Sequence, residues 1–271
     1  MDIAFHASPR KVYEQVLGEG FRIGAKVHGD EVTFPLDFDA SADVACVLGV
    51  KDANLMNRYR TAGIPVLYWD KAYDRNHKGW FRVAINSNHP TKYIMDLDCP
   101  DDRREWFGWK APKWRKTGNK IIVVGSSGKY HKMIALQDAT EYAEQTIKSI
   151  RKYTDMEIVY RPKHTHESAR PIPGTTWSIG GVFSDILNDA FAIVVQGSNA
   201  GFEALLRGVP SIVTGEAIVK PISSTRLSEI MNPRLASRDE VTRFMNNLAY
   251  HQWTPSELQD GKAWGWLKSK L

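Results

Sequence analysis

Short, uninterrupted apolar runs alternate with longer amphipathic segments along most of the chain, and this alternation constrains the fold more than any other feature. The runs DVACVLGV (43–50) and AFAIVVQG (190–197) are largely apolar without a period of two, as strands are in a parallel sheet covered on both faces. Segments such as 136–153 instead space their apolar residues three and four apart, which predicts helices. The alternating order predicts an α/β fold with two Rossmann-like βαβ domains facing a cleft.

The alternation of apolar runs and amphipathic segments stops between residues 96 and 119, where prolines and clustered charges show no period. We therefore expect an N-terminal Rossmann-like domain over residues 1–100, a linker over 101–119 and a C-terminal domain over 120–253. The first helix is expected from Pro9 to Leu17. The tail, residues 254–271, predicts one more helix with aromatic anchors that packs back on the N-terminal domain.

Composition narrows the class of protein only a little. The 271 residues carry 36 Lys and Arg against 31 Asp and Glu, a net charge of +5, which is compatible with a polyanionic partner. Cys46 and Cys99 are expected to be free thiols in a reducing compartment. The first residues lack the basic segment of a signal peptide, and no apolar run reaches the roughly 18 residues of a membrane helix. We expect a cytoplasmic protein with no membrane partner. The oligomeric state stays open.

The stretch VVQGSNAGFEALLRGVP (194–210) joins an apolar strand to a helix through small residues. Gly197 allows a sharp turn, Ser198 is a good N-cap, and the amides of Asn199 and the next two residues would then face a ligand. A helix N-terminus of this kind suits a phosphate, and Glu203 could accept hydrogen bonds from sugar hydroxyls. The alternative is an ordinary capped helix with Glu203 solvated.

The stretch VVGSSGKYHK (123–132) is a second candidate strand end. Ser126, Ser127 and Lys129 could contact a phosphate or a sugar. The glycines are too closely spaced for a Walker loop, and Tyr130 stands where that motif places its magnesium-binding hydroxyl, so an NTPase is not predicted. The alternative is a polar turn.

The stretch VYRPKH (159–164) is a third. Arg161 and Lys163 follow a predicted strand and offer a clamp for a diphosphate, one as a planar fork and the other as a point charge. The alternative is an ordinary charged loop. Three such sites on three strand ends of one half favour the clamp.

Taken together, the Gly-Ser-Ser loop, Arg-Pro-Lys and SNAGFEALLRGVPSIV resemble the C-terminal half of GT-B glycosyltransferases over residues 119–217. They are most similar to the capsular-polysaccharide and Kdo-transferase-like group, which includes small phage-encoded members. The resemblance implies a nucleotide-sugar donor, most simply a UDP-sugar, and no metal or other cofactor. Glu216 is a candidate for a second donor-side glutamate. The implied donor-binding residues are Ser126, Ser127, Lys129, Arg161, Lys163, Ser198, Asn199 and Glu203.

The resemblance also implies that the N-terminal half holds the acceptor and a general base. Asp70, which ends the strand VLYWD, is the first candidate, and an ion pair with Lys71 is its alternative reading. His89 in NSNHP and His6 at the first strand end are further candidates, each with a purely structural role as the alternative.

The segment RREWFGWKAPKWRKTGNK (103–120) interleaves cations with Trp106, Trp109 and Trp114. Cations bind phosphates and aromatic rings stack on bases, so the acceptor could be a hydroxymethylated base in DNA, as in phage DNA modification within the host cytoplasm. A glycan acceptor is equally compatible with the tryptophans, and the alternative is a structural linker. The candidate nucleic-acid-binding residues are Lys110, Lys113, Arg115 and Lys116.

Two other classes of function stay open. A nucleotide-sugar epimerase or hydrolase on the same fold would turn over the donor without an acceptor. A non-enzymatic nucleic-acid-binding module would bind DNA with a steep salt dependence and ignore nucleotide sugars.

Overall fold

A computed structural model provides the fold of the chain. The structure describes residues 1–8, 10–49, 53–74, 76–77, 79–133, 138–163 and 169–271, without the side chains of residues 53, 129, 132 and 133. The described chain forms two compact units. Unit 1 comprises Met1–Pro90 and Tyr250–Leu271, and unit 2 comprises Thr91–Ala249.

The elements are numbered in chain order. The strands are β1 (Asp2–His6), β2 (Glu31–Thr33), β3 (Val44–Leu48), β4 (Val66–Lys71), β5 (Phe81–Ile85), β6 (Lys120–Val124), β7 (Glu157–Arg161), β8 (Thr176–Trp177), β9 (Ala190–Val195), β10 (Ser211–Val213) and β11 (Gln252–Trp253). The α-helices are α1 (Val12–Val27), α2 (Ala53–Thr61), α3 (Asp102–Trp106), α4 (Gly128–Met133), α5 (Ala139–Ile150), α6 (Phe183–Ile186), α7 (Ala200–Leu206), α8 (Arg238–Ala249), α9 (Pro255–Gln259) and α10 (Lys262–Lys268).

Each unit is built on one sheet with a parallel core. In unit 1 the strand order is β11-β5-β4-β3-β1-β2. Strands β1 to β4 run parallel, and β5 and β11 are antiparallel additions at one edge. In unit 2 the order is β10-β9-β6-β7-β8, with every pair parallel. Two Rossmann-like sheets confirm the predicted α/β fold.

The core of unit 1 lies between its sheet and helices α1, α9 and α10. Phe21 of α1 makes edge contacts with Trp69 of β4 and with Trp264 of α10. Helix α9 comes so close to α1 that a Cβ at Gly24 would lie 1.8 Å from the carbonyl oxygen of Leu258. The tail therefore packs on α1 as two helices, because Gly261 takes a left-handed conformation, φ 82°, and divides it.

A buried carboxylate, that of Asp30, bonds helix α10 to the rest of unit 1. Asp30 is 3% exposed and accepts hydrogen bonds from Trp264 Nε1 at 2.6 Å and from Lys268 Nζ at 2.7 Å. Burial alone would raise the pKa of Asp30, but these hydrogen bonds and that of the Met1 amino group lower it to about 2. Asp30 is therefore ionised wherever the protein is folded near neutral pH.

The core of unit 2 packs the apolar face of α5 on the sheet. Asp138 caps α5 by accepting from Thr140 N, and Ala143, Ile147 and Ile150 lie buried against β6 and β7. A capping box lies at the start of α8, since Ser237 N donates to a carboxylate oxygen of Glu240 at 2.7 Å and Glu240 N donates to Ser237 Oγ at 3.2 Å.

The structure differs from the predicted boundaries in two places. Residues 91–119 belong to unit 2, where α3 packs on α8 and Phe107 and Trp109 are buried, so the expected linker over 101–119 is part of a folded unit. Helix α1 runs from Val12 to Val27, well beyond the expected end at Leu17. The glycines inside α1 do not end the helix, because they allow neighbouring elements to pack closely against it. Gly24, for example, faces α9. Pro9, the expected start of that helix, lies outside the described residues.

Candidate functional site

Three neighbouring strands of unit 2 bring the predicted donor-binding loops to one edge of the sheet. β9, β6 and β7 are adjacent and parallel, so their carboxyl ends lie side by side. The loops after β6 and β7 touch, because Gly125 N donates to the carbonyl of Arg161 at 2.8 Å and Gly125 packs on Pro162. The next strand along the chain, β7, pairs with one edge of β6, and β9 pairs with the other edge. The position between β6 and β9, where the direction of strand addition reverses, is the switch point of the sheet. Open α/β sheets bind ligands at such a point.

Two buried polar atoms mark this switch point between β6 and β9. Ser126 is 7% exposed and Gln196 is 4% exposed. Within the described part of the chain, neither Ser126 Oγ nor Gln196 Oε1 has a hydrogen-bond partner. Both residues line a cavity of about 10 Å³, together with residues of β6, β9 and α5 and with Thr214 after β10. Buried polar groups are normally satisfied, so this pair is a candidate for hydrogen bonds to a ligand. Gln196 did not stand out in the sequence, because its side chain follows an ordinary apolar strand.

Tyr130 joins the loops after β6 and β9. A Cβ at Gly197 would lie 2.4 Å from Cζ of Tyr130, so the ring lies directly over the Gly197 backbone. Tyr130 N donates to Ser127 Oγ at 3.2 Å, and its hydroxyl accepts from the backbone of Glu216. Burial raises the pKa of Tyr130 to about 12, which leaves the phenol neutral at neutral pH.

Glu216 follows β10, next to β9 at the same edge. Thr91 Oγ1 donates to its carboxylate at 2.8 Å, and Lys220 forms an ion pair with it. Burial pushes the pKa of Glu216 upward, but these two partners outweigh burial and hold the pKa below its ordinary value. The site therefore carries one fixed negative charge near the Tyr130 hydroxyl.

The turn before α7 differs from the prediction. Asn199, not Ser198, is the N-cap of a helix that begins at Ala200 and has only seven residues. Ser198 Oγ accepts from Ala200 N at 3.2 Å, and the Ser198 carbonyl accepts from Gly201 N at 3.4 Å. The expectation that these two amides face a ligand is therefore wrong, because the turn uses them internally. Glu203 is half-buried rather than solvated.

The Arg161 guanidinium is fixed in place. It donates to Ser178 Oγ at 3.1 Å and to the carbonyl of Gly181 at 3.0 Å, and it faces the ring of Phe183. Lys163, two residues on, is exposed. The structure thus holds the planar cation rigidly and leaves the ammonium at the surface. The Lys129 side chain lies outside the described residues.

In unit 1, the first candidate base has a partner that the sequence did not indicate. Asp70 forms an ion pair with Arg82 at 3.0 Å, whereas Lys71 lies over the ring of Tyr13. The ion pair predicted as the alternative exists, but with a different cation. The side chain of Arg82 is 4% exposed and that of Asp70 is 39% exposed. The Asp70 carboxylate is therefore held by a buried cation and is also accessible to solvent.

The two histidine candidates lie in different surroundings. His89 Nδ1 lies 3.1 Å from the hydroxyl of Tyr73, which also receives a hydrogen bond from Arg82. Asp70, Arg82, Tyr73 and His89 therefore form one network. His6 instead contacts Tyr59, with Nε2 2.8 Å from the hydroxyl. Both histidines are buried, at 4% and 5% exposed.

Sequence reasoning missed a buried carboxylate near the end of β1. Glu14, in the first turn of α1, is fully buried and accepts from Ser8 N at 2.6 Å. It also forms an ion pair with Lys11 at 3.1 Å. The only signal in the sequence was an acidic residue following a predicted strand end, which is common at a helix start.

The basic and aromatic segment is largely built into unit 2. Trp109 is buried and stacks on Phe107 at 4.3 Å, and Trp114 Nε1 donates to the carbonyl of Ala236 at 2.7 Å. Arg115 donates to the carbonyls of Leu187 and Asn188, both at 2.7 Å. These contacts favour the structural alternative for Trp109, Trp114 and Arg115 over a nucleic-acid surface. The side chains that stay exposed are Trp106, Lys110, Lys113 and Lys116.

Among the described residues, no three or more His, Cys, Asp or Glu side chains come together as a metal-binding group. No helix among them has the length and apolar character needed to cross a membrane.

Solved structures share this fold. The chain is similar to the KpsC beta Kdo 2,7 transferase of Thermosulfurimonas dismutans, with a TM-score of 0.59, 13% sequence identity and coverage of 100% of both chains. It is also similar to the KpsC beta Kdo 2,4 transferase of the same organism, with a TM-score of 0.55, 11% identity and coverage of 92% of this chain and 91% of that one. No protein-family model matches the sequence, and no curated protein matches it either. The similarity confirms the GT-B-like fold.

Proposed function

We propose that this protein is a glycosyltransferase that moves a sugar from a nucleotide-sugar donor to an acceptor. The donor would bind at the strand ends of unit 2, where the loops after β6, β7 and β9 meet. One observation carries the proposal: Ser126 Oγ and Gln196 Oε1 are buried without partners at the switch point of the sheet. Ser126 Oγ can donate to a phosphate oxygen and Gln196 Oε1 can accept from a hydroxyl of the donor, directly or through a water molecule.

Charge at the same edge supports a phosphorylated leaving group, such as the nucleoside diphosphate of a UDP-sugar or the monophosphate of a CMP-sugar. Arg161 presents a planar cation held in place and Lys163 a second cation at the surface, and both kinds of group bind phosphate oxygens. As the bond between the anomeric carbon and this phosphate breaks, negative charge grows on the leaving oxygen. Cations held in advance stabilise that charge without reorganising. The proposal therefore needs no metal.

Asp70 is the general base in this proposal. It would take the proton from the acceptor hydroxyl while the acceptor oxygen bonds to the anomeric carbon. Arg82, almost wholly buried beneath it, fixes the direction of the carboxylate, and its exposed side leaves room for an acceptor. Ser198, Asn199 and Glu203 are proposed to contact the sugar or its phosphate.

A glycan is the acceptor that the described residues favour. Trp109, Trp114 and Arg115 are engaged inside unit 2, so the segment that suggested DNA keeps only exposed lysines and Trp106. Both similar solved structures are named as Kdo transferases, which supports a sugar acceptor and adds CMP-Kdo to UDP-sugars as a donor to test.

Thermal stabilisation by nucleotides tests the proposal. UDP, CMP, GDP and their common sugars, including CMP-Kdo, are added at millimolar concentration. A ligand at a hundred times its Kd adds about 2.7 kcal/mol of stability, which gives a clear shift in Tm. Ser126→Ala and Gln196→Ala should each reduce that shift. Ser149→Ala is the matched control and should keep it, because Ser149 is a half-buried serine of α5 whose hydroxyl donates to the carbonyl of Gln145 at 2.9 Å.

The outcomes separate the three classes of function. Binding followed by sugar transfer to an acceptor supports the glycosyltransferase, whereas donor turnover that needs no acceptor indicates an epimerase or hydrolase. A flat nucleotide panel together with salt-dependent DNA binding would replace the proposal with a nucleic-acid-binding module.

A further inference from the structure

The guanidinium of Arg161 is held by a loop that no sequence motif connects with it. This loop, which we call the β8 loop, comprises residues 178–182 and follows β8. Arg161 Nη1 donates to Ser178 Oγ at 3.1 Å, and Arg161 Nη2 donates to the carbonyl of Gly181 at 3.0 Å. Each terminal nitrogen of the guanidinium therefore has a partner in the β8 loop.

The β8 loop lies at the same edge of the sheet as the proposed donor site. β8 pairs with β7 in parallel, so the residues that follow the two strands lie together at the carboxyl edge. Ser178 N donates to the carbonyl of Tyr160 at 3.0 Å, and Tyr160 directly precedes Arg161. This backbone bond places Ser178 next to Arg161, and the Ser178 hydroxyl accepts from the guanidinium.

Two glycines shape the second contact of the β8 loop. Gly180 and Gly181 both have a left-handed backbone, with φ values of 73° and 62°, which glycine adopts without steric cost. With this turn, the Gly181 carbonyl comes within hydrogen-bond distance of Arg161. Phe183, directly after the loop, places its ring centre 5.9 Å from Cζ of the same guanidinium.

The main chain of Arg161 is held from the opposite side of β7. Gly125, after β6, donates its N–H to the Arg161 carbonyl at 2.8 Å and packs on Pro162. The loop after β6 thus holds the main chain, and the β8 loop holds the side chain. A long side chain normally loses rotamer freedom when it binds a ligand. Contacts made in advance reduce that loss and present an oriented cation to a phosphate.

We propose that Ser178 is a positioning residue for donor binding and that the β8 loop is part of the donor site. The Ser178 hydroxyl keeps the planar fork of Arg161 in the orientation in which it meets the donor phosphate. This role rests on the proposed function, because it takes Arg161 as a donor-binding residue. It adds the end of β8 to the strand ends that hold the donor.

Isothermal titration of the full chain with UDP and with CMP tests this role. Ser178→Ala should weaken binding of the nucleotide by roughly 3- to 10-fold, about the value of one hydrogen bond. Ser178→Thr keeps a hydroxyl and should keep most of the affinity. Ser184→Ala is the matched control, because Ser184 is a half-buried serine just after the β8 loop whose hydroxyl donates to Asp185 at 3.4 Å. Its affinity should equal that of the unmodified chain.

A double-mutant cycle separates positioning from a purely structural role. If Ser178 acts through Arg161, Ser178→Ala weakens binding in the unmodified chain and has no further effect in the Arg161→Ala chain. An equal loss in both chains would show that Ser178 affects binding by another route and would overturn the proposal. A structural role would lower Tm in Ser178→Ala and leave the nucleotide Kd unchanged.

The same titrations distinguish failure of this role from failure of the proposed function. If Arg161→Ala weakens nucleotide binding and Ser178→Ala does not, the positioning role is wrong and the donor site stands. If the unmodified chain binds neither nucleotide, or if Arg161→Ala binds as well as the unmodified chain, Arg161 is not a donor-binding residue. The positioning role of Ser178 then fails with it.

Discussion

The ring of Tyr130 lies so close to Gly197 that it leaves no room for a side chain there, since a Cβ at Gly197 would be 2.4 Å from Cζ of Tyr130. Gly197→Ala should therefore displace Tyr130 and lower stability by about 1–3 kcal/mol, as overpacking does. Thermal unfolding measures the loss, and nucleotide binding should weaken with it. The Tyr130→Ala variant lacks the ring, so the clash is absent there. In that variant, the further change Gly197→Ala should cost less stability than it costs in the unmodified chain. An unchanged Tm in the single variant would show that the ring moves aside freely.

Arg161 should bind the donor as a fork and not only as a charge. Arg161→Ala should weaken nucleotide-diphosphate binding by about 1.5–3 kcal/mol, the value of hydrogen bonds to charged groups. Arg161→Lys should recover little of it, because a lysine cannot reproduce the planar geometry. Isothermal titration measures both. The control is Arg226→Ala, because the Arg226 side chain is 76% exposed and forms an ion pair with Glu229. Equal affinities for the Ala variant and the unmodified chain would rule out the diphosphate clamp.

Asp70→Asn should reduce turnover and spare donor binding. Loss of a general base lowers kcat by roughly 10²–10⁴-fold, while the nucleotide-induced shift in Tm should stay the same, since Asp70 lies in unit 1. Steady-state kinetics measure kcat. Asp37→Asn is the control, because Asp37 is an exposed carboxylate paired with Arg58. Full turnover in Asp70→Asn would move the search for the base to Glu14, His6 and His89.

Asp30 should make the unfolding of unit 1 sensitive to acid. Its pKa is about 2 in the fold against an ordinary value of 3.8. The folded pKa is the lower one, so its stabilisation is fully present above about pH 4 and is lost as the pH falls toward 2. Asp30→Asn should lower Tm at neutral pH and show a smaller further loss between pH 4 and 2. Tm against pH for both chains measures this, and parallel curves would contradict it.

The exposed lysines should not be needed for sugar transfer. Lys110, Lys113 and Lys116 point to solvent, whereas Arg115 caps the carbonyls of Leu187 and Asn188. The triple change of these lysines to Glu should leave donor binding and glycan transfer unaltered. DNA binding by the unmodified chain that falls steeply with salt and disappears in the triple variant would instead restore DNA as the acceptor.

The strands of both sheets were predictable because their signal is local. An uninterrupted apolar run such as 190–195 has no stable place except a sheet covered on both faces, and the Ser237–Glu240 capping box depends on residues three apart. The same local signals predicted that Gly125, Arg161 and Ser198 lie at the ends of strands. Parallel strands align their carboxyl ends, so the order of the motifs already implied that they share one edge.

Other features depend on partners distant in sequence. Asp70 pairs with Arg82 because β4 and β5 are antiparallel neighbours, and the adjacent Lys71 gave no hint of this. Trp109 and Arg115 looked like a nucleic-acid surface until burial beside Phe107 and capping of distant carbonyls accounted for them. The sequence by itself determined the long apolar strands of both sheets and the loops that follow them, because these depend on local apolar pattern and turn chemistry. Only the tertiary structure decided which polar groups are satisfied: Ser126 and Gln196 became a candidate site because the packing of β6, β9 and α5 buries both side chains and leaves Ser126 Oγ and Gln196 Oε1 without a partner among the described residues.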